Sequence, residues 1–189
     1  MKQAKVLNEQ ELKRVLAVVA SRTHGPRNRL AIMLSHFAGM RVGEIAALTV
    51  GDIVDTQGDP RDRIYLKPSY TKGSFGRTIF ANTRLQREIT TYFQSLSGLP
   101  ALSAPLMRSQ KGHSFSANSL CQLFSQIYHL TGLDDATSHS GRRGFITKLA
   151  HSGVSAKVIM ELAGHKHLTT TQRYIEVTDD MKQRAVELL

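Results

Sequence analysis

Apolar residues near the start of the chain recur every three to four positions, which is the spacing of an amphipathic helix. Asn8 and Glu11 stand three residues apart, the arrangement that caps a helix at its first turn. Together these features predict a first helix over residues 8–21. A second helix is predicted to end near Ala38, because Gly39 is a common residue after a helix. The apolar positions of the first helix are Leu12, Val15, Leu16 and Val19.

The pattern changes after a short predicted helix over residues 44–48. Residues 63–67 and 76–80 are two runs of strand-forming residues, separated by a connection rich in Gly, Ser, Thr and Pro. We predict that these runs pair as antiparallel strands. Residues 52–54 are a candidate for a third, short strand.

Helical spacing then returns and continues to the end of the chain, interrupted by a loop with a small hairpin over residues 98–115. The prediction is therefore a mainly α fold with a small antiparallel β-sheet on one side (α+β), in a single domain. The further helices are predicted over residues 82–97, 116–131, 139–152, 155–163, 168–174 and 179–188.

Composition narrows the class of partner. The 189 residues suffice for one domain with a substantial core, and the net charge of +10 favours a polyanion such as nucleic acid. A basic surface that merely keeps the chain soluble is the alternative. Cys121 is the only cysteine, which excludes an internal disulfide and a cysteine-based zinc site. We expect no membrane span and no secretory signal, hence a cytoplasmic protein that joins the bacterial nucleoid when active.

Four separated segments carry a set of cations followed by a tyrosine. They read AGMRVGEIAAL, TKGSFGRTI, SHSGRRGF and LAGHKHLTTTQRYIEV. A phenol near arginines, a lysine and imidazoles is suited to attack on a phosphodiester, because the arginines offset phosphate charge and the other groups can move protons. The residues of this set are Arg41, Lys72, His139, Arg142, His165 and Tyr174.

In order and spacing these segments resemble the tyrosine recombinase (phage integrase) family, over nearly the whole chain. The resemblance implies the catalytic-domain fold of that family. It also implies that DNA strands are cleaved and rejoined through a 3′-phosphotyrosine intermediate, without metal, ATP or cofactor, with integration, excision or inversion as the outcome.

Phosphate binding is expected of the two arginines. In the resemblance Arg41 and Arg142 are the first and second catalytic arginines, and their planar forks match pairs of phosphate oxygens. Glu44 lies three residues after Arg41 on the same helix face. It either supports the site from behind or is a plain surface residue of the helix.

The resemblance implies that the remaining four residues carry out the cleavage step, in which the phosphotyrosine forms. Tyr174, nine residues after His165, corresponds to the nucleophile. Lys72 corresponds to the hairpin lysine that protonates the departing 5′-oxygen, with Lys67 as a weaker competitor. His139 corresponds to the proton-handling partner of the second arginine, and His165 to the imidazole that steadies the phosphate. A zinc site made of histidines alone is disfavoured, because acceptors that would orient the rings are not evident.

Further residues are expected to contact DNA. Asn118 and Gln122 lie four residues apart on the helix over 116–131, and either touch base edges or face solvent. Arg143 is expected to contact the DNA backbone or to form a structural ion pair. The expected phosphate-backbone contacts are Arg77, Arg108, Lys111, Lys166 and Arg173.

The resemblance also concerns assembly. The family usually places an N-terminal DNA-clamping domain before this one, whereas residues 1–189 correspond to the catalytic domain alone, either naturally or by truncation. Double-stranded DNA is the expected partner, with a homotetramer on DNA and a monomer without it. The segment from Met181 to Leu189 would then pack on a neighbouring protomer, or fold back on its own domain. Two other functions stay open: an inert DNA-binding module that regulates a full-length recombinase, and relaxation of the type IB topoisomerase kind.

Overall fold

The computed structural model describes residues 4–71, 75–109, 112–175 and 177–187. Within these ranges the chain is mostly helical, with one two-stranded antiparallel sheet. The sheet register sets Arg63 opposite Phe80 and Leu66 opposite Arg77. The elements are α1 (Glu9–Ala20), α2 (Gly25–Ala38), α3 (Val42–Ala47), α4 (Val50–Ile53), β1 (Arg63–Leu66), a 3-10 turn (Pro68–Tyr70), β2 (Arg77–Phe80), α5 (Thr83–Gln94), α6 (Ala117–Leu130), α7 (Ser140–His151), α8 (Ala156–Ala163), α9 (Leu168–Gln172) and α10 (Asp179–Val186).

Helix ends follow local capping chemistry. Asn8 and Glu11 form the predicted reciprocal cap of α1, with the Glu11 amide donating to Asn8 Oδ1 at 2.8 Å. Gly39 ends α2 in the left-handed conformation, at φ 61°, which a residue without a Cβ adopts readily. The remaining predicted helices are confirmed with ends within a few residues. The largest trimming is in α5, which stops at Gln94.

Helix α2 lies at the centre of the main core. It packs against α1, α5 and α7, and its apolar side chains are almost completely removed from water. These buried residues of α2 include Leu30, Ile32, Met33 and Leu34. The strands contribute Ile64, Leu66 and Ile79 to the same core, because every second residue of a strand faces the same side.

The candidate third strand is wrong. Of the expected strand residues 52–54, Asp52 and Ile53 belong to the short helix α4, and Val54 forms only an isolated bridge with Pro60. Asp52 Oδ2 accepts bonds from both the backbone amide and the hydroxyl of Thr49, at 2.8 Å each. Such side-chain bonding to the backbone offers a helical start where apolar residues alone suggest extended chain.

A smaller apolar cluster joins α7 and α8. It is built from Ile146, Ala150, Ile159 and Ala163, and Tyr174 packs at its margin. Gly141 lets α7 approach α2 closely, since a Cβ there would lie 2.3 Å from the Ser35 hydroxyl oxygen. None of the helices in the described ranges has the length and apolar character needed to cross a bilayer.

Candidate active site

Three arginines converge on the carboxyl end of α8. The last carbonyls of a helix have no partner within it and carry partial negative charge, so guanidinium groups bind well there. Three consecutive carbonyls are used in this way, each by an arginine from a different element. The pairs are Arg77 with Leu162, Arg142 with Ala163, and Arg41 with Gly164 at 3.4 Å.

Arg41 stands immediately before α3 and is held by Glu44. Its backbone amide donates to Glu44 Oε2 and its Nη1 donates to Oε1, both at 2.8 Å. The arginine side chain is 31% exposed, whereas that of Glu44 is 1% exposed. The carboxylate therefore anchors the guanidinium from inside, while the outer part of the arginine fork faces the cleft.

Glu44 is shared with a second arginine. Arg77 Nη2 donates to Glu44 Oε2 at 2.7 Å. Burial acts to raise the pKa of Glu44, but Arg77, the Arg41 amide and the Arg41 guanidinium together outweigh it and lower that pKa. The carboxylate thus stays charged, and Glu44 is a buried partner of Arg41 and not a surface residue of the helix.

Arg142 is the most enclosed of the arginines expected to act on phosphate. Only 5% of it is exposed, and besides Ala163 it donates from Nη1 to the Gly39 carbonyl at 2.7 Å. Burial and then the neighbouring Arg41 and Arg77 lower its pKa to about 9. A cation whose pKa is depressed by other cations gains from a nearby anion, so this cluster is suited to accept one.

His165 and Tyr174 form the other wall of the cleft. Their rings stack with centroids 5.8 Å apart and 20° between the planes. His165 Nδ1 lies 2.8 Å from the buried Thr171 hydroxyl, which orients the imidazole. Burial, followed by Arg142 and the other arginines, lowers the pKa of His165 to about 4. The ring is therefore neutral near pH 7, and if Thr171 donates to Nδ1, the proton of the ring is on Nε2.

One cleft of about 660 Å³ brings most of the predicted set together. It is lined by Arg41, His139, Arg142, His165 and Tyr174. His139 sits just before α7, exposed and with no side-chain bond to the helix start. Five of the six expected catalytic residues thus share one space.

A second cavity of about 430 Å³ adjoins the first on the hairpin side, and Arg41 and His165 line both. Lys72 lies outside the described residues. Thr71 and Phe75, the described residues on either side of that segment, line this second cavity. The connection between the strands therefore reaches the site at both of its described ends.

The residues expected to contact DNA differ in their surroundings. Arg108, Asn118, Gln122, Lys166 and Arg173 are exposed, and Arg173 also lines the main cleft. The Lys166 ammonium lies 4.5 Å from the centre of the Phe75 ring. Lys111 lies outside the described residues.

Arg143 and Arg77 are more constrained than expected. Arg143 donates from Nη1 to the Ala4 carbonyl at 2.9 Å and lines the cleft; this is a bond to backbone and not the ion pair considered above. Arg77 was expected at the DNA backbone, but its side chain is 9% exposed and bound to Glu44. The prediction that Arg77 is an exposed contact to the DNA backbone is therefore corrected: its side chain is largely enclosed within the domain.

A sequence signal for Arg77 existed. Residues two apart on a strand face the same side, and Ile79 of β2 is an apolar core residue at 2% exposure. Arg77 is therefore on the inward face of β2. The role of Thr171 had no comparable signal, because it depends on how α9 folds back towards His165.

In the described parts of the chain, no group of three or more His, Cys, Asp or Glu side chains could hold a metal ion.

Comparison with known proteins bears on the family and the fold of the chain. The sequence profile of the Phage integrase family matches residues 5–181. Tyrosine recombinase XerA of Thermococcus kodakarensis is 30% identical over 183 residues, which cover 97% of this chain and 62% of the relative. Transposase A from transposon Tn554 of Staphylococcus aureus is 28% identical over 191 residues, covering 96% and 51%.

Solved structures show the same fold. A crystal structure of XerA recombinase superposes with a TM-score of 0.75 at 22% identity, over 100% of this chain and 64% of the other. XerH site-specific recombinase bound to difH substrate gives 0.70 at 22% identity, over 98% and 54%. Tn1549 transposon integrase in complex with transposon right end DNA gives 0.72 at 19% identity, over 100% and 67%.

The fold is therefore that of a tyrosine recombinase catalytic domain. The chain belongs to the phage integrase family, as the resemblance of its motifs predicted. It spans about half to three fifths of the length of the curated relatives that it matches.

Proposed function

We propose that this chain is the catalytic domain of a site-specific DNA recombinase. The observation that carries the proposal is the meeting of two arginine forks with a stacked His165–Tyr174 pair in one cleft. The net charge of +10 supports a DNA partner, and so do the relatives named as recombinases and transposases.

The proposed chemistry uses the residues of the cleft together with Lys72. The Tyr174 oxygen attacks the phosphorus, the bond from phosphorus to the 5′-oxygen breaks, and a 3′-phosphotyrosine and a free 5′-hydroxyl result. Arg41 and Arg142 offset charge on the non-bridging oxygens, where an enclosed site makes their effect large. Neutral His165 donates a hydrogen bond to the same phosphate. Lys72 is proposed to supply the proton that the departing 5′-oxygen takes up.

Rejoining is the same step in reverse. A second 5′-hydroxyl attacks the phosphotyrosine, and the proton returns to the lysine, so the energy of the phosphodiester is conserved without ATP. The arginines supply the charge compensation that a metal ion supplies in many phosphoryl-transfer enzymes, so the proposal includes no metal and no cofactor. His139, at the start of α7 and in the same cleft as Tyr174, is proposed to accept the phenol proton when Tyr174 attacks and to return it when the strand is rejoined.

The proposal is tested by covalent capture. Since the target sequence is unknown, the substrate is a pool of random-sequence duplexes. Each is nicked so that the short fragment that carries the free 5′-hydroxyl after cleavage diffuses away, which prevents rejoining and traps the intermediate. We expect a band of protein covalently bound to DNA, enriched for one sequence on repeated selection, that Tyr174→Phe abolishes. Capture by Tyr174→Phe equal to that of the parent chain would refute the assignment of the nucleophile.

The same assay separates the alternatives. An inert DNA-binding module would retard DNA in a gel but form no covalent band. A topoisomerase-like enzyme would form the band without sequence enrichment and would relax supercoiled plasmid.

Assembly is part of the proposal. We propose a homotetramer on DNA and a monomer without it. Helix α10 supports this, because none of its described side chains is buried and Val186 is 63% exposed. It lies against its own domain through Arg184 Nη2, which donates to the His151 carbonyl at 3.3 Å. Light scattering with and without the captured DNA sequence measures the mass directly, and a stable tetramer in the absence of DNA would contradict the proposal.

A further inference from the structure

Arg77 joins three elements that meet behind the cleft. From β2, its Nη2 donates to Glu44 Oε2 at 2.7 Å on α3, and its Nη1 donates to the Leu162 carbonyl at the end of α8. The side chain is 9% exposed, so these partners largely replace water. One guanidinium thus ties the strand to both helices that hold Arg41.

The backbone of α8 is shaped to receive this arginine. Gly164 follows the helix at φ +65°, and a Cβ there would lie 2.5 Å from Arg77 Cδ. Ordinary side chains at Gly164 would therefore displace the arginine stem as well as strain the backbone. The close approach indicates a defined seat for Arg77 and not an incidental surface contact.

The charges of the group explain what Arg77 adds. Glu44 binds Arg41 through the amide and through Nη1, and it binds Arg77 through Oε2. One carboxylate between two guanidiniums leaves a net positive charge. Without Arg77, the buried carboxylate would face Arg41 alone, and it would neutralise the cation that the phosphate needs.

We propose that Arg77 is a positioning residue: it fixes the Glu44 carboxylate and the end of α8, and through them it orients Arg41 and keeps that guanidinium available to phosphate. This inference rests on the proposed function in so far as Arg41 binds the scissile phosphate. The placement of Arg41 by Arg77 does not depend on it, and the two are measured separately.

The variants are Arg77→Met, Arg77→Lys and the double variant Arg77→Met/Glu44→Gln. In the double variant the buried Glu44 carboxylate is replaced by a neutral amide, so that no buried charge loses its partner and destabilises the fold. Arg63→Met is the matched control, because Arg63 lies on the paired strand, is exposed, and contacts only the Phe80 ring among the bonds and ring contacts found in the described residues. Thermal unfolding of each variant identifies any that fails to fold.

The first readout is the orientation of Arg41, which needs no DNA. The Nε–H resonance of Arg41, assigned by its loss in Arg41→Met, is followed by ¹⁵N NMR of the free protein. We expect it to shift or broaden in Arg77→Met, to recover in part in Arg77→Lys, and to stay unchanged in Arg63→Met. An unchanged Arg41 resonance in a folded Arg77→Met protein would overturn the inference.

The second readout is cleavage of nicked DNA. We expect Arg77→Met to slow covalent capture at saturating DNA by about 10²-fold, the cost of misplacing a group by about 1 Å, with DNA affinity within about threefold. A methylphosphonate at the scissile position lacks the negative charge that Arg41 offsets, so the defect should shrink there for Arg77→Met and for Arg41→Met alike.

The possible failures are distinct. Loss of DNA affinity with an unchanged rate at saturation would make Arg77 a DNA contact and overturn the inference. An equal defect on phosphate and methylphosphonate would assign Arg77 to general stability and also overturn it. Absence of covalent capture by the parent chain, with the Arg41 resonance still displaced in Arg77→Met, would refute the proposed function while supporting the placement of Arg41 by Arg77.

Discussion

The two walls of the cleft pack against hydrophobic cores of different size. Glu44 belongs to α3 and Arg41 stands immediately before it, and α3 packs into the large core around α2, whereas Tyr174 lies at the margin of the small cluster of α7 and α8. Local stability follows the number of buried apolar contacts. We therefore expect the arginine wall to be the more stable of the two, and the wall with Tyr174 to be the part that adjusts more easily.

Arg142 connects these two walls. It belongs to α7 and donates hydrogen bonds to the Gly39 carbonyl, at the end of α2, and to the Ala163 carbonyl, at the end of α8. Its guanidinium thus serves the packing of the domain as well as the proposed chemistry. Removing it tests whether the walls depend on each other.

The largest effect is expected for Arg142→Met. Loss of one donor to a developing negative charge costs roughly 10²–10³ in rate, and the two abandoned carbonyls should cost about 1–3 kcal/mol each in the free energy of unfolding. Covalent capture at saturating DNA and urea denaturation measure the two effects. Lys148→Met, an exposed change on the same helix, is the control, and equal stability of both variants would show that the walls are not joined through Arg142.

An intermediate effect is expected for paired cavities in the two cores. Ile32 and Ile159 are both completely buried, one in the large core and one in the small cluster. Ile→Ala costs about 2–5 kcal/mol according to how well the site can relax. We expect Ile32→Ala near the top of that range with cleavage little changed, and Ile159→Ala near the bottom with slower cleavage. The reverse ranking in urea denaturation would contradict the distinction between the walls.

The smallest effect concerns two histidines whose pKa is lowered to about 4 for different reasons. For His36, in the large core and bonded to Tyr128, burial is the cause. For His165, burial is joined by the three arginines. An anion such as sulfate in the cleft should therefore raise the pKa of His165 by about half a pH unit, and leave that of His36 unchanged. NMR titration of both rings with and without sulfate provides the comparison.

The sign of the pH effect on stability is the same for both rings. Each folded-state pKa lies below the unfolded value near 6.5, so the unfolded chain binds more protons between these limits. Stability should be complete above about pH 6.5 and decline as the pH falls towards 4. Replacing His36 or His165 by Asn should flatten that decline. An unchanged slope in both variants would refute the assignment.

Much of this molecule is predictable from local sequence. Helix starts such as Asn8 with Glu11 follow from capping chemistry, and the order of the cationic motifs identifies the family. Residues 52–54 were misassigned because a short apolar run suits a strand as well as a helix, and the bonds between Thr49 and Asp52 favour the helix over residues 50–53. Arg77 was misassigned because its charge suggested the surface, although its alternation with Ile79 pointed inward.

The sequence by itself determined the kinds of groups in the motifs and their order along the chain: two arginines, a lysine, two histidines and a final tyrosine, on helices with a small sheet. Only the tertiary structure decided which cations remain available. Arg41 and Arg77 share the Glu44 carboxylate, and these two arginines and Arg142 each bind one of three consecutive carbonyls at the carboxyl end of α8. Some of these contacts join residues more than a hundred positions apart, as in Arg41 with Gly164. Local patterns carry no information on such partners, because burial and hydrogen-bond sharing arise only when distant elements pack.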